Sequence, residues 1–276
     1  MPQQRVINIH AHLNVNTDAE EMIATWRKQG ALKVCVLAMG RQLSNTQGYY
    51  NNELLHEKIK KHPDLIAGMG YIELNEPFDP VDKIDQLKEQ GFAGLKFMGP
   101  THYYSDECYF PFYERAEQLD MPIIFHVGMV MADEKDKEFK IYAEWMRAYT
   151  LDRIARSFPN LKLIAGHFGD PHWEETFKVS TRHPNVYACP SGASGSNIHI
   201  SKCKKALAPF PGADWDDPEQ NQALIFFRKF AFGTDNPPID HWVRQSEDLM
   251  DYLHIGQETR DAYYWKNAAK IFGWSF

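Results

Sequence analysis

The chain has 276 residues, 43% of them hydrophobic, and a formal net charge of -7. Length and apolar content allow a sizeable core in a single unit; the negative charge argues against a nucleic-acid partner, and no apolar run is long enough for a membrane span. The four cysteines, Cys35, Cys108, Cys189 and Cys203, include no C-x-x-C pair, so they read as reduced thiols of a cytoplasmic protein.

The chain opens with a strand, "VINIHAHL" (6–13), that ends in two histidines. A helix over 17–30 follows, with a Thr17/Glu20 capping box at its start and Gly30 at its end. Strands are then predicted at 32–39, 65–74, 94–100, 121–128, 161–169, 185–192 and 230–237, all rich in apolar and β-branched residues. Polar, helix-like stretches separate them. One is 79–91, with Pro80 in its first turn and Gly91 as its stop, and two more helices close the chain. Eight strand–helix units without a break in composition predict one domain over 1–276, a single (β/α)8 TIM barrel of the α/β class. An open doubly wound sheet would carry a glycine-rich loop after the first strand, where this chain has "HAHLNVN".

Chemistry-bearing side chains recur where these strands end. Alternation along a strand puts Asn8, His10 and His12 on one face, predicted to be the barrel interior. The fourth strand carries Lys96, the fifth ends in His126, the sixth in His167 and the eighth in Asp235. Barrel closure would gather these residues at one mouth. A single strand-end histidine is more often a hydrogen-bonded core residue. Three neutral imidazoles with one carboxylate make a nitrogen and oxygen set suited to a divalent metal, zinc first and manganese as the alternative.

The motifs "NIHAHL", "IFHVG", "RIARSFPNLKLIAGHFGDPHWEE", "RHPNVYACPSG", "FGTDNP" and "KNAAKIFG" together resemble the amidohydrolase superfamily. The resemblance is to its amidohydrolase-related branch, which includes aminocarboxymuconate semialdehyde decarboxylase. It implies that His10, His12, His126 and Asp235 hold one metal and that His167 acts as acid or base beside a metal-activated water. Two positions depart from the branch: Asn8 stands where many relatives have Asp, and "HFGD" replaces His-x-Gly-Gly. Elsewhere in the superfamily a fourth-strand lysine is carbamylated and bridges two metals, so Lys96 keeps that second arrangement open.

Such a site supports hydrolysis of a lactone, ester or amide, ranked first. Non-oxidative decarboxylation of an unsaturated or aromatic acid ranks second, and a non-catalytic ligand-binding barrel last. Arg41 and Lys96 are candidate anchors for a substrate carboxylate or phosphate. His102, Tyr103 and Trp173 are candidate pocket walls, and Ser191 and Ser194 candidate hydrogen-bonding groups. The expected partner is a small molecule, with a homo-oligomer as an open expectation.

Overall fold

The computed structural model describes residues 4–130 and 132–192 and, of residues 204–276, all but 205, 206, 209, 210, 218, 219 and 237. Seven of the predicted apolar runs form strands: β1 (Val6–Ala11), β2 (Ala31–Leu37), β3 (Ile66–Tyr71), β4 (Gly94–Phe97), β5 (Ile123–His126), β6 (Leu163–Gly166) and β7 (Val186–Ala188). They make one parallel sheet in chain order. Each pair is linked through helix, as parallel strands require.

The predicted eighth strand is not regular. Its residues nonetheless lie between the two edges of the curled sheet. Ala231 N donates to Ala188 O (2.9 Å) on the β7 side, and Ile9 N donates to Phe232 O (2.9 Å) on the β1 side. Phe232 N, however, donates to Tyr263 O (2.9 Å), outside the sheet. Asp235 and Asn236 then turn left-handed (φ 55° and 80°), which ends any ladder.

Helices cover the outer face. The first, Ala19–Lys28, is capped by Asp18, whose carboxylate accepts from the backbone N–H groups of Glu20 and Glu21. The expected Thr17/Glu20 box is absent: the Thr17 hydroxyl donates to Asn14 O, and Glu20 pairs with Lys58, Lys61 and His62. A carboxylate one residue nearer the helix wins the cap. Gly91 stops the helix Lys83–Glu89 at φ +85°, as its position predicts. Apolar helix residues such as Ile23, Trp26, Leu55, Ile59, Leu87 and Tyr113 share one core with the outward strand positions Val34, Val36, Leu95, Phe97 and Phe125. The closeness of that layer explains Gly68: a Cβ there would lie 2.3 Å from Ile59 Cδ1.

A second apolar cluster fills the inner face: Ile7, Ile9, Cys35, Leu37, Ala67, Met69, Ile124, Ile164, Tyr187 and Cys189. Ala268, Ala269 and Ile271 of the last helix, Asn267–Phe272, close it below. The inward set on β1 is therefore Ile7 and Ile9, not Asn8. The phase changes further along. Between the pairs Asn8–Val34 and Ala11–Val36, β1 advances three residues while β2 advances two. This bulge re-aims the strand, so that His10 and His12 also meet the interior.

Candidate metal centre

The bulge brings β1's histidines beside the segment that carries Asp235. Asn8 holds the two chains together. Its Oδ1 accepts from Thr234 N (3.1 Å) and its Nδ2 donates to Thr234 Oγ1 (3.1 Å). One step further, Asp235 N donates to His10 O (2.8 Å) and His12 N donates to Asn236 Oδ1 (2.7 Å). Gly233 admits this approach, since a Cβ there would sit 2.3 Å from Cys189 Sγ and 3.0 Å from His10 Cβ.

The ligand-type atoms of His10, His12 and Asp235 all lie within 4.8 Å of one another. His12 Nε2 is 3.2 Å and His10 Nε2 is 3.6 Å from Asp235 Oδ1. The remote nitrogen of each ring is already engaged. His12 Nδ1 donates to Leu37 O (3.1 Å), which leaves the Nε2 of a neutral ring as a lone pair facing Asp235. His10 Nδ1 meets Ser191 Oγ (2.8 Å), while its Nε2 is buried without a hydrogen-bond partner. Two imidazole nitrogens oriented from behind and converging with a carboxylate are the donor set of a divalent metal. The residues fit such an ion.

His126 and His167 stand beside this group. Their rings are 4.3 Å apart, and His167 lies 4.7 Å from the His10 ring. His126, expected as a ligand, donates from Nε2 to Met129 O (3.2 Å) and falls outside the tight trio. His167 Nδ1 faces Ser191 O (3.3 Å) and Asp235 Oδ2 (3.7 Å). Its backbone is left-handed, φ 62°, as is that of Phe168, φ 59°. Side-chain-bearing residues seldom adopt that conformation, and it clusters at functional sites.

Burial sets the charge states. It holds His10 and His126 well below the usual imidazole range and His167 at about 4, so all three are neutral near pH 7. Burial works to raise Asp235, but His10, His12 and His167 outweigh it and keep the carboxyl well below its ordinary range. Neutral imidazoles and an ionised carboxylate are the ligating forms. Lys96 is drawn down to about 8 by burial, against the pull of Asp235, and its buried Nζ has no hydrogen-bond partner.

His12, Lys96, His126, His167 and Asp235 line a cavity of about 340 Å³, together with Tyr49, Met98, Ile141 and residues of the loop after β5. The other predicted contacts lie elsewhere. Arg41 begins the helix Arg41–Gln47, lines a separate groove and pairs with Glu73 (3.5 Å). His102 and Tyr103 are exposed and do not line the cavity. Their neighbour Tyr104 is buried and donates to His126 O (3.0 Å), which supports the end of β5. Trp173 stacks on Phe168 (6.1 Å) and joins the outer core. Ser191 serves the histidines; Ser194 and Cys203 lie outside the described residues. Cys35, Cys108 and Cys189 are free thiols.

Sequence reasoning missed Tyr49, whose ring meets His12 edge-on at 5.4 Å, and the helper roles of Thr234 and Asn236. The signal for the last two was present in "TDN", where polar residues flank the strand-end aspartate. Nothing in the local pattern marks Tyr49.

Known proteins with this architecture carry more than one activity. A gamma-resorcylate decarboxylase of Polaromonas sp. (strain JS666 / ATCC BAA-500) is 22% identical over 269 residues, covering 80% of this chain and 74% of its own. A dihydroxybenzoic acid decarboxylase structure from Polaromonas sp. JS666, with bound manganese, superposes with TM-score 0.61 at 18% identity over 93% of this chain and 86% of that one. The structure of a probable 2-pyrone-4,6-dicarboxylic acid hydrolase from Acinetobacter baumannii gives TM-score 0.64 at 12% identity over 98% and 100%. No helix among the described residues is long and apolar enough to cross a membrane. The amidohydrolase family model matches residues 37–274, and the chain belongs to that family.

Proposed function

We propose that this protein is a metal-dependent hydrolase that opens a lactone, ester or amide of a small carboxylated molecule. The observation that carries the reading is the convergence of His10, His12 and Asp235 beneath a cavity whose deep cation, Lys96, has no partner. His10, His12 and Asp235 would hold the ion, with His126 as the neighbour that completes the set. Zinc is the first choice and manganese the alternative, the latter supported by the manganese of the Polaromonas decarboxylase. When bound, the metal supplies Lewis-acid polarisation and makes water more acidic. Asp235, ionised, takes the proton of the attacking water. His167, neutral and 3.7 Å from Asp235, carries that proton to the leaving group. Lys96 binds the substrate carboxylate. The segment 230–235 counts as an irregular eighth strand of a single-domain (β/α)8 barrel, which its hydrogen bonds to both sheet edges support.

Decarboxylation is the second reading. The decarboxylase relatives favour it, and the same residues could bind the acid and return a proton to carbon. Hydrolysis ranks first because it needs only an activated water, Asp235 and His167, and both side chains line the cavity. One metal is preferred over two because His10, His12 and Asp235 converge as one tight trio that His167 does not join.

Two measurements test the proposal. Elemental analysis of protein purified without chelator should find close to one equivalent of divalent metal; two equivalents would instead support the Lys96-bridged pair. A panel of lactones and unsaturated carboxylic acids should then yield acid release from a lactone. Carbon dioxide from an acid, lost in Asp235→Asn, with no lactone or amide turned over, would reverse the order.

A further inference from the structure

Apart from Asp235 of the metal trio and Asp170, the charged side chains of the cavity are sorted by depth. Lys96 is its one cationic side chain among the described residues, apart from the histidines, and it is 1% exposed. At the rim, the run "DEKDKEFK" (133–140) sorts its charges by direction. Glu134, Lys135, Lys137, Glu138 and Lys140 are exposed, whereas Asp133 and Asp136 are half-buried and line the cavity. A stretch of mixed sign thus presents only negative charge inward.

The hydrogen-bond donors to these carboxylates are neutral. Asp133 accepts from Gln47 Nε2 (3.4 Å) and Lys135 N (2.9 Å). Asp136 accepts from Gln42 Nε2 (3.1 Å) and Asp133 N (2.8 Å). Such bonds orient a carboxylate without cancelling its charge, and the partners of both carboxylates among the described residues are amide groups. A cavity of about 340 Å³ is at the small end of ligand sites, so a ring-sized ligand would feel both ends at once. At that range salt screening is incomplete.

We propose that the site selects a monocarboxylate, bound with its carboxylate on Lys96 and with a hydrogen-bond-donating or cationic group outward at Asp133 and Asp136, and that it rejects a second carboxylate at the outer end. This rests on the reading of Lys96 as the carboxylate anchor. It separates the protein from a hydrolase of dicarboxylic acids, such as the Acinetobacter structure is named for.

The test is calorimetric binding of three probes to the metal-loaded protein: 4-hydroxybenzoate, 4-(aminomethyl)benzoate and terephthalate. The first two should bind, and terephthalate should bind roughly tenfold or more weakly, as expected for like charges a few ångströms apart. Asp133→Asn/Asp136→Asn should bring terephthalate to within about threefold of 4-hydroxybenzoate. In case that variant folds poorly, raising salt to about 1 M should narrow the gap in the unaltered protein. Equal binding of terephthalate and 4-hydroxybenzoate, or no binding of any probe, overturns the proposal. A gap that persists unchanged in both the double variant and high salt also overturns it. Lys96→Met should weaken all three probes. If it leaves them unchanged while terephthalate is still rejected, the anchor reading fails and the rim does not.

Discussion

The inner face of the sheet has two storeys with opposite rules. In the lower one, Ile7, Ile9, Leu37, Met69, Ile124 and Ile164 are at most 1% exposed and carry no polar side-chain atom. In the upper one stand His10 and His126, within a few residues along β1 and β5, and Lys96 on β4. Two of the four buried side-chain atoms that lack a partner among the described residues, His10 Nε2 and Lys96 Nζ, lie there. Left-handed residues gather there as well, at His167, Phe168, Asp235 and Asn236. The lower storey has met its own needs by burial, whereas the upper one keeps unmet demands that a metal and a substrate would satisfy. On β1 the boundary between them is one extra residue. Stability and chemistry are thus divided by height, not by domain.

That division can be broken experimentally. The largest effect is expected above it. His167→Asn should lose turnover by a factor on the order of 10²–10⁴, the usual cost of a missing acid or base, while keeping most of the metal. Kinetics paired with elemental analysis decides this; loss of the ion in the variant would make His167 a ligand. The counterpart below is Ile7→Ala. It should cost about 2–5 kcal/mol in denaturant unfolding through cavity creation, with kcat and metal content unchanged. A matching loss of metal would mean that the storeys are coupled. The smallest effect belongs to the seam. Ser191→Ala removes the hydroxyl behind His10 and should weaken metal binding by roughly 10–100-fold with little change in thermal stability of the metal-free protein. A competition titration against a chromophoric chelator measures it, and unchanged affinity would deny Ser191 that role.

Much of this could be read along the chain. The seven observed strands fall inside, or one residue outside, the seven runs that periodicity marks. His10, His12, His167, Lys96 and Asp235 line or border the cavity as their strand-end positions predict. Strand ends of a parallel sheet share one side, so distant residues converge by topology alone. The substrate contacts fared differently. Arg41, His102, Tyr103 and Trp173 stand out only by residue type and loop position, and each side chain is engaged elsewhere, with Glu73, with Thr101 and Tyr109, with solvent or with Phe168. Loop residues have no period that fixes their direction.

The sequence by itself determined the order of strands, the outer helices, and which residue types end up at the mouth, because these follow from local periodicity and chain direction. Tertiary structure decided the rest. It set the phase of β1, since a bulge is defined only against its neighbour strand and Asn8 cannot reveal alone that Thr234 will claim it. It made the eighth segment irregular, because Tyr263 O takes the Phe232 N–H that a ladder would need. It also sorted the mixed charges of 133–140, turning Asp133 and Asp136 toward the cavity and the lysines to solvent. The physical reason is common to all three: each outcome depends on which partner is nearest in space, and that partner lies up to 226 residues away along the chain.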